Sequence, residues 1–220
     1  MKNNIFSKYN LEDSYWAGFI AADGTIHKNG YQLNITLQEK DRDQLEYFKF
    51  FSKTKSEIKR KQYIKIFKPE NIYYSIDIYS KEICYNLYKN YNITSNKSLT
   101  YSPPNMDILN KLCFLVGYID GDGSITYNKY KSKKYPVLAI AGTYKTINWI
   151  KKVINIVLDR KVKFSVNKNG ETYVLRFTGK NVLDLYDYVD VLPISKMRRK
   201  WNRLIPIRKT YGRPDTLSRG

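Results

Sequence analysis

The sequence predicts an α+β fold built from two pseudo-symmetric halves, each running αββαββα. Three observations predict it. An apolar stretch with an embedded glycine and an Asp-Gly ending occurs twice, at 16–24 (WAGFIAADG) and at 115–123 (LVGYIDGDG). A separation of 99 residues carries Asp23 onto Asp122, and the same 99 carries Lys97 onto Lys196. Helical and period-two patterns follow each copy in the same order, which is the sequence sign of related structural units.

The elements follow in turn. A helix starts near Ser14 in the first half and near Asp107 in the second, each with a capping residue available. It runs through the motif and stops at Gly24 or Gly123. Residues 31–38 alternate, with Leu33, Ile35 and Leu37 on one face and Gln32, Asn34, Thr36 and Gln38 on the other, which reads as a half-buried strand. Helices are expected at 41–51 and 146–158. Strands are expected at 58–67 and 72–79, matched by 162–166 and 173–178, and the last helices at 81–91 and 181–189. A longer loop is expected at 128–136. The segment 98–106 contains Pro103-Pro104 and reads as a stiff connector, dividing the chain into halves at 1–102 and 103–220. The basic run 197–201 and the tail beyond it read as an arm against phosphates or as a loose end.

Composition narrows the partner. The 220 residues carry 39 Lys and Arg against 20 Asp and Glu, a formal charge of +19, with 42% hydrophobic residues. That is enough apolar material for a core, and self-repulsion on this scale favours a polyanionic partner, nucleic acid first. The 21 tyrosines support this, since a phenol offers a stacking face and a hydroxyl for phosphate. An anionic membrane surface finds no long apolar segment or basic amphipathic helix to support it. Cys84 and Cys113 read as buried free thiols, and the chain as soluble and intracellular. Residues 1–10 lack the apolar core of a secretory signal. His27, the one histidine, reads as a structural or surface residue at a strand end, and zinc constellations are excluded for want of ligands. Richness in Lys, Asn, Ile and Tyr suggests an AT-rich genome such as that of an organelle or phage.

The outward faces of the strands are candidate DNA contacts. Lys59, Lys61, Tyr63 and Lys65 share a face by period-two alternation, as do Lys161, Lys163, Ser165, Asn167 and Arg176 in the second half. A solvated face of an antiparallel sheet fits the major groove.

The motif itself carries the chemistry. Gly18 and Gly117 fall in mid-helix, where glycine costs about 1 kcal/mol relative to alanine. The repeated cost points to two helices in close backbone approach, bringing Asp23 and Asp122 together at their C-terminal ends. Two carboxylates there repel each other and face the negative ends of two dipoles, an arrangement that makes sense around a divalent cation. Oxygen ligands suit Mg²⁺, which beside a scissile phosphate activates water and steadies the leaving oxygen. Lys97 and Lys196 are placed to neutralise developing charge. A calcium loop over 120–131 is excluded, because Ile125 and Lys131 occupy the positions that need Gly and Glu.

These residues resemble the LAGLIDADG homing endonucleases in their single-chain, two-motif form, over about residues 14–200. The second motif matches closely; the first has Ala21 where the family has its earlier acidic residue. The resemblance implies a saddle of two αββαββα halves whose sheets straddle the major groove of a long target. It implies that Asp23 and Asp122, with the carbonyls of Ala22 and Gly121, bind divalent metal. Mg²⁺ is expected, with Mn²⁺ substituting and Ca²⁺ supporting binding without cleavage. It implies a double-strand break across the minor groove with short 3′ overhangs, aided by Lys97 and Lys196. Gln38, at a strand end, is implied to position water, with Thr143 as its approximate partner and Arg42 and Lys145 as further basic groups. Differing outward residues in the two halves imply a non-palindromic target read by a monomer. The alternative on the same scaffold is an intron RNA maturase or a non-cleaving DNA-binding protein.

Overall fold

The computed structural model describes residues 4–65, 68–95, 97–130 and 133–211; the side chains of residues 62–71, 98 and 99 are outside that description. The first half runs α1 (Leu11–Asp23), β1 (Gly24–Ile26), β2 (Gln32–Gln38), α2 (Arg42–Ser52), β3 (Lys59–Lys65), β4 (Lys68–Tyr79) and α3 (Lys81–Tyr91). A short helix, α4 (Lys97–Thr100), leads into the connector. The second half runs α5 (Ile108–Asp122), β5 (Gly123–Tyr130), β6 (Lys133–Gly142), α6 (Tyr144–Val157), β7 (Ser165–Asn169), β8 (Thr172–Thr178) and α7 (Lys180–Asp190). Two further helices, α8 (Arg198–Trp201) and α9 (Ile205–Tyr211), follow. Each half holds one antiparallel four-stranded sheet, in the orders β1-β2-β4-β3 and β5-β6-β8-β7, so the topology repeats with the motif.

Local chemistry sets most boundaries. Asn10 caps α1 by accepting from the Asp13 N–H at 2.8 Å, so the helix begins one turn before Ser14. Asp107 caps α5 as expected, accepting from Leu109 and Asn110. Thr143 caps α6, which therefore starts at Tyr144 rather than 146. Gly179, at φ 69°, makes the left-handed turn into α7 that a side chain would resist.

Three expectations need correction. The 128–136 loop is largely sheet: β5 reaches Tyr130 and β6 starts at Lys133, with 131–132 outside the described residues. The strand expected at 162–166 starts at Ser165, because Asn155 Oδ1 accepts from the Val162 N–H at 2.9 Å and holds that segment as a connector. The run 197–201 is neither arm nor loose end. It folds as α8, with Trp201 buried at 1% exposure; residues 212–220 lie outside the described residues, as do residues 66–67 of the strand expected at 58–67.

The sheets bury Leu33, Ile35, Ile76 and Ile78 in one half and Ile125, Leu138, Ile140 and Leu175 in the other, all within one continuous apolar cluster. Helices α1 and α5 lie side by side in parallel through its middle. Ser14 Oγ donates to Asn110 Oδ1 at 2.8 Å near their starts, and Gly121 lies against Ala22 near their ends. The close approach expected of the two glycines is present. A Cβ on Gly18 would fall 2.0 Å from the Phe114 carbonyl oxygen, and one on Gly117 would fall 1.9 Å from that of Tyr15. Cys84 and Cys113 are buried free thiols, and His27 is exposed at the end of β1. Among the described residues no helix is long and apolar enough to cross a membrane.

Candidate active site and nucleic-acid interface

The paired helices end in the paired carboxylates. Asp23 closes α1 and Asp122 closes α5, each followed by a glycine whose N–H donates back into the last turn. Both acids keep solvent access, yet the surrounding protein crowds them. Burial, and next the charge of Asp122, push the Asp23 carboxyl up to about 6. Asp122 is also raised by burial, against the pull of Lys97, Lys200 and a hydrogen bond from Tyr118. Each acid therefore feels both lysines, and Asp23 feels its partner acid.

The lysines sit on the helix ends. Lys97, buried at 8% exposure, donates from Nζ to the carbonyls of Ala21 at 2.8 Å and Ala22 at 3.3 Å. Its counterpart is Lys200. Lys200 Nζ donates to Ile119 at 3.1 Å, Gly121 at 3.1 Å and Gly123 at 2.8 Å, and also to the Asp120 carbonyl. An ammonium on the free carbonyls of a helix terminus meets both their lone pairs and the negative dipole end. Burial lowers the affinity of both lysines for their protons.

Lys196, expected here from the 99-residue separation, is elsewhere. Its Nζ donates to Asp190 at 2.9 Å and Leu192 at 3.1 Å, closing the C-terminal end of α7. The reason is that α8 starts two residues further along than a strict repeat of α4 would, and the lysine that reaches the helix end is its third residue rather than its first. The readable clue was Trp201, a large apolar residue within a basic run, which anchors the run in the core and turns Lys200 inward.

A polar cleft of about 460 Å³ opens beside the pair, lined among others by Asp23, Gln38, Asp41, Gly121, Lys200 and Arg203. Gln38 is exposed at the end of β2, as the sequence reading needs. Thr143 does not match it: its hydroxyl donates to the Tyr101 carbonyl at 2.7 Å and caps α6. Arg42 pairs with Glu46 and lies over the Tyr74 ring; Lys145 is exposed on α6. Among the described residues no group of three or more His, Cys, Asp and Glu could hold a metal ion. The oxygen donors are two carboxylates and the Ala22 and Gly121 carbonyls, each of which keeps a second lone pair beside the one that accepts from Lys97 or Lys200. That is an oxygen-only set of the kind Mg²⁺ accepts beside phosphate and water, and the repulsion between the two acids gives a cation something to relieve.

The outward sheet faces carry the remaining candidates. Gln32, Asn34 and Thr36 share a face of β2: Asn34 Nδ2 donates to Asp77 Oδ1 at 2.9 Å, Gln32 Nε2 donates to the same oxygen at 3.2 Å, and Thr36 Oγ1 donates to Asn34 Oδ1 at 2.9 Å. Lys59 pairs with Ser75 and Lys61 with Tyr73, so both basic residues join that face. Tyr63 and Lys65 belong to β3, their side chains outside the described residues. In the second sheet Arg176 pairs with Ala139 and Ser165 and is exposed outward. Lys161 and Lys163 do not belong to it. Both are exposed, but on the connector ahead of β7.

No protein-family model and no curated protein matches the chain. Solved structures do. The homing endonuclease I-WcaI bound to its DNA recognition sequence superposes with a TM-score of 0.64 at 14% identity, covering 87% of this chain and 85% of that one. I-SmaMI, bound to uncleaved DNA target in the presence of calcium ions, gives 0.58 at 16% identity over 96% of each chain. The chain has the fold of the homing endonucleases. The resemblance drawn from the two motifs thus holds at the level of architecture. Full-length DUF199/WhiA from Thermatoga maritima also superposes on the chain, with a TM-score of 0.56 at 15% identity over 94% of this chain and 62% of that one.

Proposed function

We propose that this protein is a site-specific DNA endonuclease of the LAGLIDADG homing type, which makes a metal-dependent double-strand break in a long, non-palindromic target. The observation that carries the reading is the coupled pair Asp23 and Asp122, with Lys97 and Lys200 seated on the same two helix ends. A purely structural pair of Asp-Gly turns would not need a buried and a half-buried lysine beside it. The +19 charge and the two polar sheet faces supply the rest, a surface suited to a duplex. The fold neighbours bound to DNA support the same partner.

In this reading the protein acts as a monomer, with residues 1–102 and 103–220 each facing one half-site. Asp23 and Asp122, with the Ala22 and Gly121 carbonyls, would hold magnesium, or manganese in its place. The bound cation would supply charge for the scissile phosphate and acidity for its water. Lys97 and Lys200 would hold positive charge where the phosphate gains negative charge, at fixed positions that cost no reorganisation. Gln38 would orient water at the mouth of the cleft. Gln32, Asn34, Thr36, Lys59, Lys61 and Arg176 would read the groove, and Lys161 and Lys163 would meet phosphates beside it.

A second reading on the same scaffold is a DNA-binding protein that does not cut; the scaffold is shared with DUF199/WhiA, a solved structure not described as an endonuclease. One experiment separates them. A randomised duplex library is incubated with Mg²⁺ and the cut ends are recovered, while Ca²⁺ is used in parallel to select binding alone. The endonuclease reading expects one enriched asymmetric site in both arms, cut with short 3′ overhangs. It expects Asp122→Asn to bind that site and leave it whole. Enrichment by binding with no cutting in Mg²⁺ or Mn²⁺ would establish the second reading instead.

A further inference from the structure

Asp120 lies at the motif position that Ala21 occupies in the first half, and it is 1% exposed. A buried carboxylate is costly unless its oxygens are matched by donors. Here they are matched by the chain segment that carries Lys200. Asp120 Oδ2 accepts from the Met197 N–H at 2.7 Å and from the Tyr15 hydroxyl at 2.9 Å; Oδ1 accepts from Trp201 Nε1 at 2.8 Å. Met197 and Trp201 bracket α8, so Asp120 grips both ends of the turn from which Lys200 projects.

The first half grips the same segment from the other side. Glu12 Oε2 accepts from the Ser195 N–H at 3.2 Å, and Gln44 Nε2 donates to the Ser195 carbonyl at 2.7 Å and to the Tyr15 hydroxyl at 2.6 Å. Arg199 forms a two-point ion pair with Asp41 at 2.5 and 2.9 Å. Residues 195–201 are thus a strap held by both halves. At the equivalent position of α1 stands Ala21, which has no carboxylate to offer the segment that carries Lys97.

Resting on the endonuclease reading above, we infer that Asp120 is a positioning residue for Lys200, and that through it the two strands of the target are cut by unequally supported half-sites. Lys200 bears more than Lys97 on Asp23, and Lys97 more than Lys200 on Asp122, so in this reading the two lysines serve different strands. Loosening the strap moves Lys200 and leaves Lys97 in place. A shift of about 1 Å in a catalytic group is worth up to about 100-fold in rate.

The test follows both strands of a selected duplex, each labelled at its own end, under single-turnover conditions with Mg²⁺. Lys200→Ala identifies the strand that Lys200 serves. Asp120→Asn, in which one oxygen becomes an N–H₂ that cannot accept, is expected to slow that strand by about 10–100-fold and to leave the other within about two-fold, so that nicked circle accumulates from supercoiled plasmid. Trp201→Phe, which keeps a ring in the core and removes one donor, is expected to slow the same strand by less, and it carries the test if Asp120→Asn fails to fold. Equal slowing of both strands by variants that melt cooperatively and bind the duplex normally would overturn the inference and leave the endonuclease reading standing. A wild-type protein that binds but never cuts would remove both.

Discussion

Four residues separate Lys196 from Lys200, and the sequence repeat alone favours the wrong one. Lys196 shares the 99-residue separation with Lys97, but its ammonium closes α7, while that of Lys200 covers the end of α5 beside the acids. The two readings part cleanly in kinetics. Lys200→Ala is expected to lower kcat by about 100–1,000-fold, the scale of losing one fixed charge-stabilising donor. Lys196→Ala is expected to change kcat less than about three-fold while lowering Tm slightly, because a helix-end cation contributes about 0.3–1 kcal/mol. A plasmid cleavage time course with both variants decides it. The acids were easier to find, since an Asp-Gly pair in two matched apolar contexts is a local pattern. The lysines were not, because which side chain reaches a helix end depends on how the intervening loops pack. The electrostatics of Asp23 yield a second expectation. Burial and Asp122 hold its carboxyl near pH 6, above its ordinary value of 3.8. As pH falls through about 6 it gains a proton and loses its value as a ligand, so cleavage at limiting Mg²⁺ should decline there and recover with more Mg²⁺. Stability of the metal-free protein runs the opposite way. The folded state takes up the proton before the unfolded chain does, so acidification from above 6 toward 3.8 favours folding through this group. Asp23→Asn should therefore raise the Tm of the metal-free protein while abolishing cleavage, as calorimetry and a nicking assay can show together.

At the scale of elements, the pairing of α1 with α5 is the feature that everything at the site depends on, and it was legible from Gly18 and Gly117 alone. Each glycine faces a backbone carbonyl of the other helix, at the position equivalent to its partner's contact. Backbone cannot give way as a side-chain tip can, so a methyl there must separate the helices. Gly117→Ala is expected to cost about 1–3 kcal/mol, the range for forced overpacking, and each kcal/mol should lower Tm by about 2–4 °C at this chain length. The same separation would spread Asp23 from Asp122, so the variant should also need more Mg²⁺ for half-maximal cleavage. A drop in Tm with unchanged Mg²⁺ dependence would break the link between helix approach and carboxylate spacing. The sheets were less legible than the helices. Strands β2 and β8 alternate cleanly and were read within a residue or so of their observed bounds. The stretch 128–136 was read as a loop because the offset between the two halves drifts there, and an insertion between related units is expected in a loop. It forms strands because β5 and β6 pair across the whole stretch on either side of 131–132, held by cross-strand backbone bonds that no local pattern announces. Lys161 and Lys163 fit a period-two register, yet the buried Val162 between them belongs to a connector tied to Asn155.

For the molecule as a whole, the placement of those two lysines changes what they should do. A side chain on the groove-facing surface of a sheet can discriminate bases; one on a connector at its border meets phosphates. Phosphate contacts act through released counterions, so each adds about 0.9 to the slope of log affinity against log salt and nothing to sequence preference. With a net charge of +19, the chain should show a steep slope, consistent with six or more such contacts and a loss of about 1,000-fold between 50 and 200 mM salt. Lys161→Gln and Lys163→Gln should each flatten the slope by about 1 and weaken all duplexes alike. Lys59 and Lys61 share the outward face with Ser75 and Tyr73, which the proposed function turns toward the groove, so Lys59→Gln and Lys61→Gln should also relax preference at particular positions of the selected site. Fluorescence anisotropy with Ca²⁺ in place of Mg²⁺, on the selected site and on single-base variants of it across a salt series, measures slope and preference together. Connector variants that alter base preference while keeping the slope would mean that the segment ahead of β7 enters the groove, and that the reading surface extends beyond the sheets.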